Sequence, residues 1–253
     1  MAVGIAGCTG RVGSILVEEL LSGHWEGLTL AGGSVKTGFP HPDGPYFVTE
    51  RADELFDVSD LVIDFTTPAA TAQHLWQAAK HHKPLIVATT GLSKQQQDEL
   101  QDAAREAPIL YSANMSLGVN LLAALVEQAA ARLGPDWDIE ILETHHKHKI
   151  DAPSGTALAL GKAAAAGRRV DMDSYAVLDR TGERKEGTIG FAVMRGGDVA
   201  GEHTVGFFEE KERLELTHRA TDRAILSRGA LRAAQWLGRQ SSGLYTMRDV
   251  LEL

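Results

Sequence analysis

The residues best suited to chemistry form one short run of basic side chains, His145 to Lys149, in an otherwise acidic chain. The run reads His-His-Lys-His-Lys, and the 253-residue chain carries a net charge of -9. Adjacent cations repel one another, so such a run suits a site whose ligand is an anion, above all one with two negative groups. Histidine titrates near neutral pH, so the run can also hold or donate a proton during a reaction.

A second signal for anion binding follows shortly after, at Ser154, Gly155 and Thr156. These residues precede an alanine-rich stretch, 156–166, whose spacing predicts a helix. Ser154 or Thr156 can cap that helix, and Gly155 leaves its free N–H groups open to a carboxylate. Two carboxylate-binding elements so close in sequence predict a small-molecule substrate with a carboxylate at each end.

Three other interpretations of the basic run stay open. His146 and His148 alternate as on a strand, and histidine clusters bind zinc, although no cysteine or clear third ligand accompanies them and the neighbouring lysines repel a cation. A run of charges can also be a solvated turn. A phosphate-binding loop is the third interpretation, but the Gly-Lys pattern of a nucleoside-triphosphatase is absent.

A glycine pattern at the start of the chain predicts a dinucleotide site. Gly7, Gly10 and Gly13 have the spacing G-x-x-G-x-x-G, between a strand predicted at 3–6 and a helix predicted at 12–21. Glycines there allow a tight turn, close approach of a pyrophosphate and close packing of helix on strand. The alternative is a tight turn without a ligand.

The second predicted strand, 27–31, indicates which dinucleotide is bound. The stretch after it has no acidic residue to hold the ribose hydroxyls, whereas Lys36 and Arg11 could meet a 2′-phosphate. We therefore expect NADPH or NADH as cofactor and favour NADPH; the alternative is that Lys36 is a solvated surface lysine. Cys8 could be a reactive thiol near a helix start, but we favour a small residue that fills the loop.

The composition of the chain limits the classes of protein to which it can belong. Hydrophobic residues make up 43% of the chain and charged residues 23%, as in a soluble globular protein. The acidic balance argues against a nucleic-acid partner. No segment approaches the roughly 18 apolar residues of a membrane helix, and Cys8 has no cysteine partner within the chain. We expect a cytoplasmic protein that binds neither nucleic acid nor membrane.

The pattern of elements predicts an α/β fold with two domains. Short apolar strands alternate with amphipathic helices over residues 1–113, which predicts a Rossmann-like, doubly wound parallel sheet. Residues 114–222 are expected to form a smaller α+β domain with a mixed or antiparallel sheet, for substrate binding and oligomerisation. A helix predicted at 224–237 lies in a segment, 223–253, that we assign to the first domain.

Helix starts and strands are predicted from local patterns. Thr67 followed by Pro68 predicts a helix start, and Ser93 with Gln96 predicts a capping box for the next helix. In the second domain we predict a helix at about 117–133, a strand at 138–143 and antiparallel strands at 188–195, 203–208 and 213–217.

Several stretches together resemble the 4-hydroxy-tetrahydrodipicolinate reductase family. The two most specific are GCTGRVG, starting at Gly7, and ETHHKHKIDAPSGTA, starting at Glu143. ATTG at 88–91, SANMSLGVN at 112–120 and RGGDVAGEHTV at 195–205 extend the likeness over essentially the whole chain.

The resemblance implies an NAD(P)H-dependent oxidoreductase of lysine and diaminopimelate biosynthesis. Such enzymes reduce the cyclic product of dihydrodipicolinate synthase to tetrahydrodipicolinate with loss of water, and they are typically homotetramers assembled through the sheet of the second domain. The resemblance implies that His145 donates or accepts a proton and that Lys149 is a second proton donor. It also implies that His146, Gly155 and Thr156 hold the dicarboxylate. The resemblance also implies that the cofactor is bound by Gly7, Cys8, Thr9, Gly10, Arg11, Val12, Ala88, Thr89, Thr90, Ser112, Ala113, Asn114 and Met115. To these we add Lys36, which we predict from the residues after the second strand.

One position departs from the family pattern. Many members carry an acidic residue after the second strand, where this chain has Val35, and this leaves the choice between NADH and NADPH open. Two rival functions are another two-domain dehydrogenase and a nucleotide sensor without turnover. An aldehyde-oxidising enzyme would need a nucleophilic cysteine in the second domain, which has none, and a sensor would not need the dense His/Lys run.

Overall fold

A computed structural model describes residues 1–222 and 224–253. The strands, in chain order, are β1 (Ala2–Ala6), β2 (Thr29–Ser34), β3 (Phe47–Thr49), β4 (Leu61–Asp64), β5 (Leu85–Val87), β6 (Pro108–Tyr111), β7 (Asp138–His145), β8 (Ala176–Val177), β9 (Ile189–Arg195), β10 (Gly201–Glu209), β11 (Glu212–Ala220) and β12 (Gly243–Tyr245). The helices are α1 (Gly13–Leu21), α2 (Ala52–Val58), α3 (Pro68–His81), α4 (Lys94–Ala103), α5 (Leu117–Leu133), α6 (Gly155–Arg168), α7 (Met172–Tyr175), α8 (Ala224–Leu237) and α9 (Met247–Val250).

The chain divides into two compact units. The first comprises Met1–Leu117 and Ala224–Leu253, and the second Gly118–Arg223. The sequence places the first boundary a few residues earlier, after 113, and the second at residue 223, which lies outside the described residues.

The first unit is a seven-stranded parallel sheet with the order β12-β6-β5-β4-β1-β2-β3. This confirms the predicted Rossmann-like fold. Its central strands, β4 and β5, contain apolar runs such as Leu61–Ile63 and are buried throughout because helices cover both faces. Helix α8 contributes Leu231 and Leu237 to the same core as Ile5 and Leu16, so the C-terminal segment belongs to this sheet.

Strand β2 extends further than its sequence suggests. We predicted it at 27–31, but it continues through Gly32 and Gly33 to Ser34. A Cβ at Gly33 would lie 2.6 Å from the sulfur of Cys8, and a Cβ at Gly32 would lie 2.8 Å from the carbonyl oxygen of Phe47. The glycine pair therefore lies where the Cys8 side chain and the backbone of β3 approach β2 closely, and it does not form a turn.

Helix starts are partly as predicted. Ser93 and Gln96 form the predicted capping box at the start of α4. Pro68 occupies the first turn of α3 as predicted, but the side chain of Thr67 accepts no capping hydrogen bond. That helix ends at His81 and is capped by His82, whose backbone adopts the left-handed conformation, with φ of 50°.

The second unit has a five-stranded mixed sheet with the order β11-β10-β7-β9-β8. Helix α6 covers one face, where Ile139, Ile141 and Phe207 pack against Leu160 and Ala164. Strands β10 and β11 pair antiparallel as expected, but β9 was wrongly predicted as part of an antiparallel set. It pairs in parallel with β7, which lies between β9 and β10.

Candidate active site

In the first unit, the predicted cofactor-binding segments all follow the carboxyl ends of parallel strands. The glycine loop follows β1, Lys36 follows β2, Ala88–Thr90 follow β5 and Ser112–Met115 follow β6. Because the strands are parallel, these segments lie along one edge of the sheet. Strands β1 and β4 are neighbours where the strand order reverses, which is where dinucleotides bind in this kind of sheet.

The glycine loop is built for close approach. Gly7 has a φ of 80°, a conformation that favours glycine. A Cβ on Gly13 would lie 2.0 Å from the carbonyl oxygen of Gly7, so only glycine fits where α1 meets the loop. No side chain caps the start of α1 at Val12, and this cradle fits a pyrophosphate that accepts the first N–H groups of the helix.

Cys8 and Lys36 differ in exposure. Cys8 is buried in the core of the first unit, and burial raises the pKa of its thiol. The buried thiol agrees with our interpretation of Cys8 as a residue that fills the loop. Lys36 is exposed, with its Nζ 5.8 Å from the centre of the Phe39 ring.

A buried acid at the end of β4 was missed by the sequence analysis. Asp64 accepts hydrogen bonds from the Thr66 backbone N–H at 2.9 Å, from the Thr71 hydroxyl at 2.7 Å and from His74 Nδ1 at 2.9 Å. The Thr71 hydroxyl lies 2.9 Å from that of Thr89, one of the predicted cofactor-binding residues. Asp64 therefore ties the end of β4 and the first turns of α3 to the loop after β5.

The ionisation of Asp64 contributes to stability. Burial alone would raise its pKa, but the charge of His74 and the hydrogen bonds from His74, Thr66 and Thr71 outweigh burial and lower it. A carboxyl group whose pKa is lower in the folded state stabilises the fold above its ordinary pKa of about 3.9, and this contribution is lost as the pH falls through the folded-state value.

We expect Asp64→Asn to lower the free energy of unfolding at neutral pH by about 3 kcal/mol, since it breaks a buried ion pair. Thermal denaturation as a function of pH checks this: the loss of Tm on acidification should be smaller in the variant than in the wild type. Equal slopes would show that folding leaves the pKa of Asp64 unchanged and would contradict its contribution to stability.

In the second unit, β7 carries the first residue of the basic run on its buried face. The strand extends to His145, two residues beyond the predicted end at Glu143, because Thr144 and His145 pair with Met194 and Arg195 of β9. Glu143 and His145 lie on the same face, since side chains alternate along a strand. His145 Nδ1 donates to Glu143 Oε2 at 2.6 Å.

Glu143 is the centre of a buried polar network. Arg195 binds both of its oxygens, with distances of 2.7 and 2.8 Å, and the backbone N–H of Ser154 donates to Oε1 at 2.9 Å. Burial favours a raised pKa for Glu143, but the hydrogen bonds from Arg195, His145 and Ser154 outweigh it and lower the pKa.

The rest of the basic run forms an open loop. The backbone N–H of His146 donates to the carbonyl of Val199 at 2.8 Å, and Lys149 Nζ donates to Asp151 Oδ1 at 2.8 Å. This loop borders a cavity of about 640 Å³ lined by His146, Lys147, His148, Gly197, Asp198 and Ala200. Three basic side chains thus face one space of small-molecule size.

The start of α6 lies beside His145. Ser154 caps the helix, with its Oγ accepting from the N–H of Ala157 at 3.1 Å. A Cβ on Gly155 would meet nothing within 4 Å, so space is open at the first turn, where an anion would bind. His203 contacts both parts of the site: Nε2 lies 3.1 Å from Ser154 Oγ and the ring centre 5.1 Å from that of His145.

His203 is uncharged at neutral pH. Burial, followed by the charge of His145, lowers its pKa to about 4. Glu143, Arg195 and His203 have no predicted role, although Glu143 and Arg195 each begin a stretch that resembles the family. Among residues 1–222 and 224–253, no three His, Cys, Asp or Glu side chains are grouped so that they could hold a metal ion.

Family models match nearly the whole chain. The model described as "Dihydrodipicolinate reductase, N-terminus" matches residues 1–115, and that described as "Dihydrodipicolinate reductase, C-terminus" matches residues 118–251. In the described part of the chain, no helix combines the length and apolar character needed to cross a membrane.

Individual proteins agree with the family models. The chain is 48% identical to a 4-hydroxy-tetrahydrodipicolinate reductase of Zymomonas mobilis, over 99% of this chain and 97% of the relative. It is 47% identical to one of Sulfurovum sp., over 98% of each chain. The fold is similar to that of the dipicolinate-bound dihydrodipicolinate reductase from Paenisporosarcina sp. TG-14, with a TM-score of 0.82, 20% identity and 97% of each chain covered.

Proposed function

The chain belongs to the dihydrodipicolinate reductase family, and from this premise we propose that it reduces 4-hydroxy-tetrahydrodipicolinate to tetrahydrodipicolinate in lysine and diaminopimelate biosynthesis. The observation that carries the proposal is the second unit's site: a histidine hydrogen-bonded to a buried carboxylate, beside an open helix start and a basic loop. That combination supplies a proton and holds a dianion.

The first unit holds the cofactor. When bound, the nicotinamide supplies the hydride that the reduction needs. Residues Gly7 to Val12 hold the pyrophosphate through backbone N–H groups at the start of α1. The segments after β5 and β6, 88–90 and 112–115, line the nicotinamide side.

His145 and Lys149 carry the protons. His145 keeps one hydrogen on Nδ1 for Glu143, which leaves Nε2 as the atom that exchanges a proton with substrate. Lys149 is the second donor and is oriented by Asp151, whose pKa the hydrogen bond from Lys149 lowers. A positioned acid of this kind quenches the negative charge that hydride transfer creates.

The substrate's two carboxylates are held by different elements. His146 from the basic loop holds one, and the N–H groups of Gly155 and Thr156 at the start of α6 hold the other. The arrangement fixes the ring in one orientation, which orients the carbon to be reduced.

We further propose that NADPH is the preferred cofactor and that Lys36 contributes the preference. Its ammonium group and that of an exposed Arg11 would bind a 2′-phosphate. Lys36→Ala is expected to raise the KM for NADPH about 10-fold while leaving the KM for NADH unchanged, since a lost charged contact amounts to roughly 1.4 kcal/mol.

Cofactor oxidation followed by absorbance, with substrate generated in situ by the synthase, measures both KM values. Lys185→Ala, an exposed lysine of the second unit, serves as the control. Equal changes of both KM values in Lys36→Ala would contradict the assignment.

We also propose a homotetramer, located in the cytoplasm, assembled through the open face of the mixed sheet. Leu142 and Met194 are exposed on neighbouring strands and lie on the same face, with Leu142 paired to Ala192 and Met194 to Thr144. Exposed apolar side chains in one patch favour association. Leu142→Asp is expected to lower the mass measured by light scattering; an unchanged tetramer mass in this variant, or a monomeric wild type, would contradict the proposal.

A further inference from the structure

Glu143 is a buried carboxylate that is held by several hydrogen-bond donors. It is 1% exposed, and its two oxygens accept four hydrogen bonds, from His145, Ser154 and both Nη atoms of Arg195. A buried charge is tolerated only when its partners satisfy it fully. Its partners here come from three separate segments: β7, β9 and the turn before α6.

The hydrogen bond between Glu143 and His145 determines the tautomer and the orientation of the imidazole. Because a carboxylate accepts at Nδ1, the neutral imidazole keeps its hydrogen there and directs Nε2 away from Glu143. Nε2 faces the backbone of β10, where a Cβ on Gly201 would lie 3.0 Å away. The absence of a side chain at Gly201 leaves room around the atom that exchanges the proton.

The other end of the network fixes the start of α6. The same carboxylate holds the backbone N–H of Ser154, and the Ser154 hydroxyl caps the helix whose next residues are Gly155 and Thr156. A single side chain therefore sets the distance between the proton-exchanging histidine and the N–H groups that hold a carboxylate of the substrate.

Arg195 limits the negative charge that His145 experiences. Its guanidinium binds Glu143 through two parallel hydrogen bonds, which fixes the carboxylate plane. It also donates to the carbonyl of Asp151 at 2.7 Å, in the segment that carries Lys149. Without Arg195, the full charge of Glu143 would act on the imidazolium form of His145.

We propose that Glu143 and Arg195 are positioning residues of the reductase: Glu143 orients His145 and the start of α6, and Arg195 holds and partly neutralises Glu143. This inference rests on the proposed role of His145 as the residue that donates the proton. The other titratable or charged groups around the network are His203 on β10, which contacts His145, and two groups whose charges act on His203, His218 on β11 and Lys149. The charge of Asp151 acts on Arg195. His203 is uncharged at neutral pH and adds no second proton to the cluster.

Substitutions of Glu143 and of Arg195 are expected to shift the pH dependence of kcat in opposite directions. If protonated His145 is the acid, activity falls as the pH rises. Glu143→Gln removes the anion that favours the imidazolium, so the decline moves to lower pH by about one unit. Arg195→Gln leaves Glu143 unneutralised, so the decline moves to higher pH by a similar amount, and Arg195→Lys, which keeps the charge, stays close to wild type.

Glu143→Gln is also expected to lower kcat about 100-fold, because it no longer fixes the tautomer and orientation of His145. Glu140→Gln is the matched control: Glu140 lies on the same strand, on the other face, and pairs with Arg180 and Arg184. It should retain the wild-type pH profile. Thermal denaturation followed by circular dichroism shows whether each variant remains folded, since cofactor binding reports on the first unit and these residues belong to the second.

The outcomes separate the inference from the function on which it rests. No turnover by the wild type would overturn the proposed function, and near-normal turnover by His145→Ala would overturn the role of His145. With both upheld, opposite shifts in Glu143→Gln and Arg195→Gln support the inference, whereas no shift, or shifts in the same direction, overturns it. Should Glu143→Gln not fold, the direction of the Arg195→Gln shift, with recovery in Arg195→Lys, decides alone.

Discussion

His145→Ala is expected to lower kcat by about three orders of magnitude, within the range of roughly 10²- to 10⁴-fold for a positioned acid or base. The imidazole exchanges its proton through Nε2, because Nδ1 is held by Glu143, and alanine has no group that could do so. The loss should appear in kcat more than in KM, because His146, Gly155 and Thr156 would still hold the substrate. Steady-state cofactor oxidation measures both parameters.

Two comparisons keep this result interpretable. His24→Ala replaces an exposed histidine of the first unit that bonds to Ser22, and it should leave kcat unchanged. The Kd for nicotinamide cofactor should be the same in His145→Ala as in the wild type. A variant that binds cofactor and retains more than about a tenth of kcat would exclude His145 as the proton donor.

The largest effect on cofactor binding is expected from Gly13→Ala. The new Cβ would lie 2.0 Å from the carbonyl oxygen of Gly7, and a backbone atom cannot move aside as a flexible side chain can. The loop or the start of α1 must therefore shift, which disrupts the N–H groups that hold the pyrophosphate. We expect the Kd for the cofactor to rise about 10- to 100-fold, or about 1.4 to 2.8 kcal/mol.

Fluorescence titration with NADPH measures this change, and Ser14→Ala is the neighbouring control. Ser14 is partly exposed and its backbone, not its side chain, bonds to Gly10, so the control should bind as the wild type does. Wild-type affinity in Gly13→Ala would mean that the glycine loop does not hold the phosphates.

Features that depend on local pattern could be predicted from the sequence. The periodicity of Leu117–Leu133 predicts α5 at its observed bounds, and the box of Ser93 and Gln96 predicts the start of α4. The glycine spacing after β1 and the basic run are also local, so both candidate sites can be identified from the sequence without the fold.

Features that depend on pairing between distant strands could not be predicted. The parallel pairing of β9 with β7 places Arg195 beside Glu143, 52 residues away in sequence. Asp64 likewise ends an ordinary strand, and His74 lies on an ordinary helix. Only the fold brings the two side chains into contact. A polar residue on a buried strand face, such as Glu143, is the one signal that the sequence offered and that we did not use.

The most direct test of the central claim is oxidation of NADPH and NADH by the wild type and by Lys149→Ala, with substrate generated in situ by the synthase. The account predicts turnover by the wild type with at least one cofactor and its collapse in Lys149→Ala, with cofactor binding unchanged. A folded wild type that binds nucleotide but oxidises neither cofactor would contradict it and would favour a nucleotide sensor or a different dicarboxylate substrate.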